Sequence, residues 1–249
     1  MLLEGKTAIV YGAAGAVGSA VACGYGREGA AVHLVGRRTA PLEAVAARIR
    51  RDGGSAHTVG LDVLDRAAVE RHAAAVAAGG GIDICFNATS NEDVQGTELA
   101  DMQFEDFLRP VTKALTAHFN IATVVGQHMS RLGRGVILVM GGGREAIPRL
   151  GGSHVAWSAL AGLCRQLAAE LGPHNVRVCW LLSPGSPDAE TDHEQPASGA
   201  HAAPGTEGLL PRHQPGYDEV AGVATFLASD WARTITASEI NLTGGAVVD

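Results

Sequence analysis

Short apolar segments of strand length alternate with longer, alanine-rich segments along the chain. The short segments are predicted to be strands: Thr7–Tyr11, Ala31–Val35, His57–Leu61, Ile82–Phe86, Val136–Met140, Val176–Leu182 and Glu239–Leu242. Strands that are apolar on both faces and separated by helices are typical of a parallel sheet that is covered on both sides. The pattern therefore predicts an α/β fold, a doubly wound parallel sheet of about seven strands with helices on both faces.

The longer segments are predicted to be helices: Val17–Glu28, Pro41–Asp52, Asp65–Ala78, Phe104–Met129, Val155–Leu171 and Asp218–Ala228. A short helix around Asp101–Phe107 is expected before the fourth of these helices. The segment 183–216 breaks the rhythm and holds six of the ten prolines. A long segment without periodicity inside a compact domain is usually a lid or a functional loop. We therefore expect one domain over 1–249, with 183–216 as a mobile substrate lid.

Composition excludes several classes of protein. The 249 residues are 46% hydrophobic with a net charge of −7, which excludes a disordered chain and leaves no basic surplus for binding nucleic acid. No apolar run reaches the roughly 18 residues that a membrane span requires, and the first six residues lack the features of a signal peptide. Four cysteines without paired spacing favour free thiols in a reducing cytoplasm.

A glycine-rich turn follows the first predicted strand and opens the first predicted helix. Its residues that are predicted to contact a cofactor are Gly12, Ala14, Gly15, Val17 and Gly18. A turn in this place directs backbone N–H groups and a helix N-terminus at a pyrophosphate, and glycine allows the backbone to approach closely. The alternative is a tight strand–helix turn that binds no ligand.

The second predicted strand ends at Arg37 and Arg38, where a site selective for NAD would carry an acidic residue on the ribose hydroxyls. Guanidinium groups suit a 2′-phosphate through bidentate contacts and charge. NADP is therefore favoured as the cofactor and NAD is the alternative. Two solvated arginines at the start of a helix would explain the same residues without any ligand.

Several motifs in the expected order make the chain similar to the short-chain dehydrogenase/reductase family over nearly its whole length. They are the turn 12–18, Asp62-Val63, Phe86-Asn87-Ala88-Thr89, Leu167–Leu171, Ser183-Pro184-Gly185, 219–230 and Gly244-Gly245. The resemblance implies a Rossmann sheet, a nicotinamide cofactor, a small-molecule substrate and commonly a homotetramer. It also implies that Asp62 and Val63 meet the adenine and that Asn87, Ala88, Pro184 and Gly185 border the cofactor.

The catalytic residues that the resemblance implies are not found at the matching positions. Counting back from Glu170-Leu171 by the family's spacing places the Tyr position on Ser153 and the Lys position on Trp157. The Ser position falls within Met140–Gly143 and the Asn position on Ala114. The chain contains no Tyr-x-x-x-Lys at all, because Lys6 and Lys113 are its only lysines and Tyr217 is the only later tyrosine.

Other groups would therefore have to supply chemistry. Ser153 and Trp157 are expected to line the pocket by position, but a serine hydroxyl is a poor acid near neutral pH. His154 and His118 are candidate proton donors, and Arg144 could polarise a substrate oxygen. The glycines 141–143 could bind an anion or leave room for a bulky substrate. No metal site is expected, because His193, His201 and His213 have no ligand-like spacing.

Three functions remain open from the sequence. The first is an NADP-dependent oxidoreductase that reduces a small carbonyl, enone or imine with an atypical proton donor or with solvent. The second is a non-redox enzyme, such as a cyclase, isomerase or dehydratase, built on the same pocket. The third is a catalytically silent subunit that binds nucleotide or an active homologue. Fold alone does not decide between them.

Overall fold

A computed structural model describes residues 1–182, 216–245 and 247, and it contains one seven-stranded parallel sheet. The strands are β1 Thr7–Tyr11, β2 Ala31–Gly36, β3 Ser55–Gly60, β4 Ile84–Asn87, β5 Gly135–Met140, β6 Val176–Leu182 and β7 Ser238–Asn241. Their order is β3-β2-β1-β4-β5-β6-β7, with every neighbouring pair parallel. The predicted fold class is confirmed.

Six α-helices in the described part of the chain cover the two faces of this sheet. They are α1 Ala16–Arg27, α2 Thr39–Arg51, α3 Arg66–Ala78, α4 Phe104–Leu132, α5 Gly152–Leu171 and α6 Tyr217–Ala228. Helices α1, α2 and α6 pack with Ala8 and Val10 of β1 in one core. Helices α3, α4 and α5 pack with Ile9 and Tyr11 of the same strand in the other core. Because successive strand residues face opposite sides, an unbroken apolar strand supplies both cores.

Several element boundaries differ from the sequence-based expectation. Strand β3 begins at Ser55, strand β4 at Ile84 and helix α5 at Gly152, where His57, Ile82 and Val155 were expected. Helix α2 begins at Thr39, two residues ahead of Pro41, which a helix tolerates because its first N–H groups have no partner within the helix. The separate short helix expected around 101–107 is wrong, because α4 runs unbroken from Phe104. It continues through Pro110, which lies in its second turn and is buried. The expected lid 183–216 lies outside the described residues, apart from Gly216.

The cysteines and the membrane-span expectation can be examined in the described residues. All four cysteines are buried and free of disulfides. No helix among the described residues combines the length and the apolar character that crossing a membrane requires.

The sheet order places a crevice at the carboxyl ends of β1 and β4. From β1 the chain goes to β2 on one side, whereas β4 pairs with β1 on its other side. Ligands of open α/β sheets bind at such a reversal of strand order. The glycine-rich turn after β1 and the segment after β4 therefore lie side by side at the predicted cofactor site.

Candidate functional site

The turn after β1 is held closely against the end of β4. Gly12 has a φ of +76°, and a Cβ placed on it would lie 2.3 Å from the carbonyl oxygen of Ala88. A Cβ on Gly18 would lie 2.2 Å from the carbonyl oxygen of Gly12. Both positions need glycine for backbone packing, whether or not a ligand binds. The backbone itself thus fixes the shape of this turn.

The outer side of the same turn is open. Ala14 and Gly15 are exposed and Val17 is partly buried. Gly15 caps α1, and no described side chain accepts a hydrogen bond from the first N–H groups of this helix. Among the described atoms, a Cβ on Gly15 would meet only the Gly12 carbonyl oxygen, at 3.4 Å. The free N–H groups and the positive end of the helix dipole suit the pyrophosphate of a dinucleotide.

The two predicted phosphate-binding arginines lie on the surface after β2. Arg38 is exposed and precedes α2, and Arg37 is 67% exposed. The Arg37 Nη1 atom lies 3.8 Å from Oε1 of Glu92, which belongs to the loop between β4 and α4. Both guanidinium groups are therefore accessible to an anion, and Arg37 already faces a carboxylate.

The segment after β3 carries the predicted adenine contacts. Asp62 is exposed, and its Oδ1 accepts a hydrogen bond from the backbone N–H of Leu64 at 3.0 Å. The Val63 side chain is partly buried. Its carbonyl oxygen accepts a hydrogen bond from Asn120 Nδ2 at 3.1 Å, which ties this segment to α4. The carboxylate of Asp62 remains available to a donor from outside.

Asn87 and His118 form a buried polar pair at the end of β4. The backbone N–H and the hydroxyl of Thr89 donate to Asn87 Oδ1 at 3.0 and 2.9 Å, so the amide nitrogen faces His118. That nitrogen donates to Nδ1 of His118 at 2.9 Å. Burial lowers the pKa of His118 to about 4. His118 is therefore a neutral hydrogen-bond acceptor that joins α4 to β4, which speaks against the proposed role as proton donor.

Ser153, at the predicted Tyr position, is completely buried near the start of α5. Its Oγ accepts a hydrogen bond from Gln95 Nε2 at 3.2 Å. The backbone here approaches α4 closely, since a Cβ on Gly152 would lie 1.8 Å from the Phe107 carbonyl oxygen. A hydroxyl in this position supports the loop that carries Gln95 and is closed off from a substrate.

Trp157, at the predicted Lys position, covers the glycines after β5. A Cβ on Gly142 would lie 2.1 Å from Cε2 of the Trp157 ring. The N–H of Gly141 donates to the carbonyl oxygen of Leu181 at 2.9 Å. The indole of Trp157 therefore fills the space beside Gly142 that the missing side chain leaves. Of the three backbone N–H groups that could bind an anion, the one of Gly141 already donates to Leu181.

The remaining candidates contact neighbouring protein groups. His154 Nε2 lies 2.9 Å from the carbonyl oxygen of Arg144, so it donates a hydrogen bond there. The Arg144 guanidinium forms an ion pair with Glu239, whose other oxygen accepts from Trp180 Nε1 at 2.6 Å. Arg144 therefore belongs to a contact between the loop after β5 and strand β7.

Ala114, the predicted Asn position, is buried against Ala156 and Leu160.

The loop between β4 and α4 contributes residues that sequence reasoning missed. Gln95 reaches Ser153, and Glu92 joins Arg37 and Lys113. No spacing rule connects these residues, because the chain brings them together only through the sheet order.

Pro184, Gly185 and the lid histidines lie outside the described residues. Among the described ones, no group of three potential ligands could hold a metal.

Three comparisons describe what this chain is similar to. Residues 12–247 match the family model described as enoyl-(acyl carrier protein) reductase. D-threitol dehydrogenase of Mycolicibacterium smegmatis is 32% identical over 252 residues, covering 99% of this chain and 94% of that protein. A short-chain type dehydrogenase/reductase from Mycobacterium marinum superposes with a TM-score of 0.84 at 26% identity, covering 99% and 97% of the two chains. NAD⁺-bound xylitol dehydrogenase gives 0.83 at 25% identity, covering 98% and 100%.

Proposed function

Because this chain belongs to the short-chain dehydrogenase/reductase family of oxidoreductases, we propose that it is an NADP-dependent enzyme with an atypical proton donor. Its substrate would be a small carbonyl, enone or imine. The observation that carries this proposal is the open glycine-rich turn, which presents uncapped N–H groups of α1 at the crevice between β1 and β4. We also propose that residues 1–249 form a single domain that binds the cofactor and the substrate.

The described residues fit a dinucleotide along this crevice. The turn 12–18, with Ala14 and Val17, would hold the pyrophosphate, while Arg37 and Arg38 would hold the 2′-phosphate. Asp62 and Val63 would border the adenine, and Asn87 and Ala88 would close the crevice beside β4. Pro184 and Gly185, which lie outside the described residues, would also border the cofactor. The cofactor, once bound, supplies the hydride, and the chain's own residues bind and orient it.

Proton donation to the substrate is the step in which this site differs from the family's usual chemistry. Ser153 is enclosed and His118 is neutral, so neither suits proton donation. Trp157 is only partly buried and offers an indole N–H without a positive charge. We therefore propose that His154 or solvent gives the proton. Substrates that need little acid assistance, such as iminium ions and conjugated enones, fit this arrangement best.

Nucleotide selectivity tests the cofactor assignment. We expect Arg37→Ala to weaken NADPH about ten-fold and NADH far less, because one charge-assisted contact to phosphate is lost. Arg51→Ala is the matched control, since Arg51 is similarly exposed at the far end of α2. Calorimetry gives both dissociation constants. Equal losses for the two nucleotides would contradict the phosphate role.

Turnover tests the redox assignment. Purified protein with NADPH and a panel of carbonyl, enone and imine compounds is expected to lose the nicotinamide absorbance as product forms. Ser153→Ala is expected to retain that activity. His154→Ala is expected to reduce it if His154 gives the proton and to leave it unchanged if solvent does. A panel that gives no absorbance change with any compound would count against an oxidoreductase.

A non-redox enzyme is the second candidate, and the Trp157–Gly142 contact favours it. That contact replaces charged and hydroxyl groups by an aromatic surface, which shapes a pocket without a proton relay. Product formation with unchanged nicotinamide absorbance would establish this alternative. Nucleotide binding without any turnover would instead establish a catalytically silent subunit.

We also propose that the protein is a cytoplasmic homo-oligomer. Leu108, Phe119 and Val155 expose 40%, 51% and 42% of their surfaces on α4 and α5, and Phe119 lines a depression of about 400 Å³ together with Leu115 and Leu163. Exposed apolar patches of this kind mark association sites. Light scattering is expected to give a mass above one chain, and Phe119→Glu is expected to lower it. A monomeric mass for the unaltered protein would contradict this proposal.

A further inference from the structure

Glu92, in the loop between β4 and α4, has an unusual backbone conformation. Its φ is +57°, in the left-handed region that a residue with a Cβ rarely adopts. Its backbone N–H is held by the Ser90 hydroxyl at 3.2 Å. Strained residues of this kind persist where the surrounding contacts hold them in place, and they concentrate at functional sites. The side chain of Glu92 makes the contacts that hold this residue in place.

Two cations from different parts of the fold meet at one oxygen of this carboxylate. Lys113 of α4 donates a hydrogen bond to Glu92 Oε1, and its side chain is only 14% exposed. Arg37, after β2, lies 3.8 Å from the same oxygen. The hydrogen bond from Lys113, followed by the charges of Lys113 and Arg37, keeps the pKa of Glu92 below its usual value. Glu92 is therefore a fixed negative charge beside Arg37.

We propose that Glu92 is a specificity-determining residue, whose carboxylate competes with the cofactor's 2′-phosphate for Arg37. This inference rests on the proposed function, because it assigns Arg37 to an NADP phosphate. It extends that function, because the preference for NADPH over NADH would depend on the opposing charges of Arg37 and Glu92. Arg37 attracts the phosphate, whereas Glu92 engages Arg37 and repels the phosphate.

Lys113 makes this competition persistent. When Arg37 turns towards a phosphate, the hydrogen bond from Lys113 keeps the carboxylate in the loop and close to the site. A 2′-phosphate carries close to two negative charges at neutral pH, so it feels the carboxylate directly, whereas a ribose hydroxyl does not. The effect on NADPH should therefore be specific, and NADH should be nearly indifferent.

A purely structural role for Glu92 makes a different prediction. If the carboxylate only kept the loop in shape, its removal would change the affinities for NADPH and NADH by the same factor. Glu98 provides the matched control in the same loop, because it is exposed and pairs with Arg149 at 3.2 Å, away from Arg37. The ratio of the two dissociation constants thus separates charge competition from loop structure.

The test measures NADPH and NADH dissociation constants by calorimetry for Glu92→Gln, Glu98→Gln and the unaltered protein. We expect Glu92→Gln to bind NADPH about three-fold more tightly, the size that an exposed ion pair carries, with NADH and the Glu98→Gln variant unchanged. The gain should be smaller in the double variant Glu92→Gln/Arg37→Ala, because competition for Arg37 is then absent and only the repulsion between Glu92 and the phosphate is relieved. It should also shrink at high salt.

The outcomes are distinguishable from failure of the proposed function. If neither nucleotide binds the unaltered protein, the proposed function and this inference both fall. If NADPH binds through Arg37 but Glu92→Gln leaves the NADPH/NADH ratio unchanged, only the inference is overturned. A gain that is undiminished after removal of Arg37 also overturns it, because the carboxylate would then not compete for Arg37.

Discussion

Substitution of Gly142 by alanine tests the most distinctive contact of the site. The new Cβ would lie 2.1, 2.2 and 2.6 Å from Cε2, Cδ2 and Nε1 of the Trp157 ring, far inside van der Waals contact. The ring must move or the loop after β5 must shift. Forcing a methyl group into a packed site costs about 2 kcal/mol. For a chain of this size, that loss lowers the Tm by about 6 °C.

Gly143 is the matched control for this substitution. No described atom lies within 4 Å of a Cβ placed on Gly143, and its φ lies outside the left-handed region. Gly143→Ala should therefore be neutral or slightly stabilising, because alanine restricts the unfolded chain. Thermal unfolding followed by circular dichroism compares the two variants directly.

A double variant identifies the ring as the cause. If Trp157 is the obstacle, Gly142→Ala in a Trp157→Ala background should cost far less than in the unaltered protein, since the space is already vacated. The reasoning would be refuted if Gly142→Ala and Gly143→Ala melted at the same temperature. It would also be refuted if the effects of the Gly142 and Trp157 substitutions simply added.

Three further predictions concern stability. Burial, followed by the nearby His57 and His72, lowers the pKa of His33 from 6.5 to about 4, and burial also lowers the pKa of His72. Unfolding therefore takes up protons between these values, so Tm should fall as pH decreases through that window, and less steeply in His33→Gln. Equal slopes would contradict neutral imidazoles at the partly buried His33 and the buried His72. Asp65 Oδ1 accepts from the Ala68 N–H at 3.1 Å, so Asp65→Ala should cost about 1 kcal/mol in chemical denaturation, and no loss would exclude a working N-cap. Gly12→Ala should lower Tm more than Gly15→Ala, because only the first creates a backbone clash; the reverse order would contradict the turn geometry.

Alternating apolar strands and helices were sufficient to predict the sheet, because burial of both faces imposes a pattern that a local reading detects. The boundaries were less exact where tertiary contacts decide them. Strand β4 begins at Ile84, after Asp83, whose carboxylate accepts from the Thr7 N–H at 2.9 Å and from Arg134 Nε at 2.7 Å. Helix α4 tolerates Pro110 beside the close approach of α5.

The site was predictable only where its geometry is local. The turn from Gly12 to Gly18 could be located because strand, glycines and helix follow one another directly. Family spacing assigned Trp157 to the Lys position, but it did not predict that the indole packs against Gly142. The hydrogen bond between Gln95 and Ser153 could not be foreseen, because it joins a loop to a helix that lies far along the chain.

A crystal structure of the protein grown with NADPH tests the central claim most directly, namely that the turn after β1 forms a working dinucleotide site although the residues implied for catalysis are replaced. We expect density for the pyrophosphate at the N-terminus of α1 and for the 2′-phosphate beside Arg37. The nicotinamide should extend towards Trp157. A closed crevice without nucleotide, at NADPH concentrations that saturate a related reductase, would contradict the account.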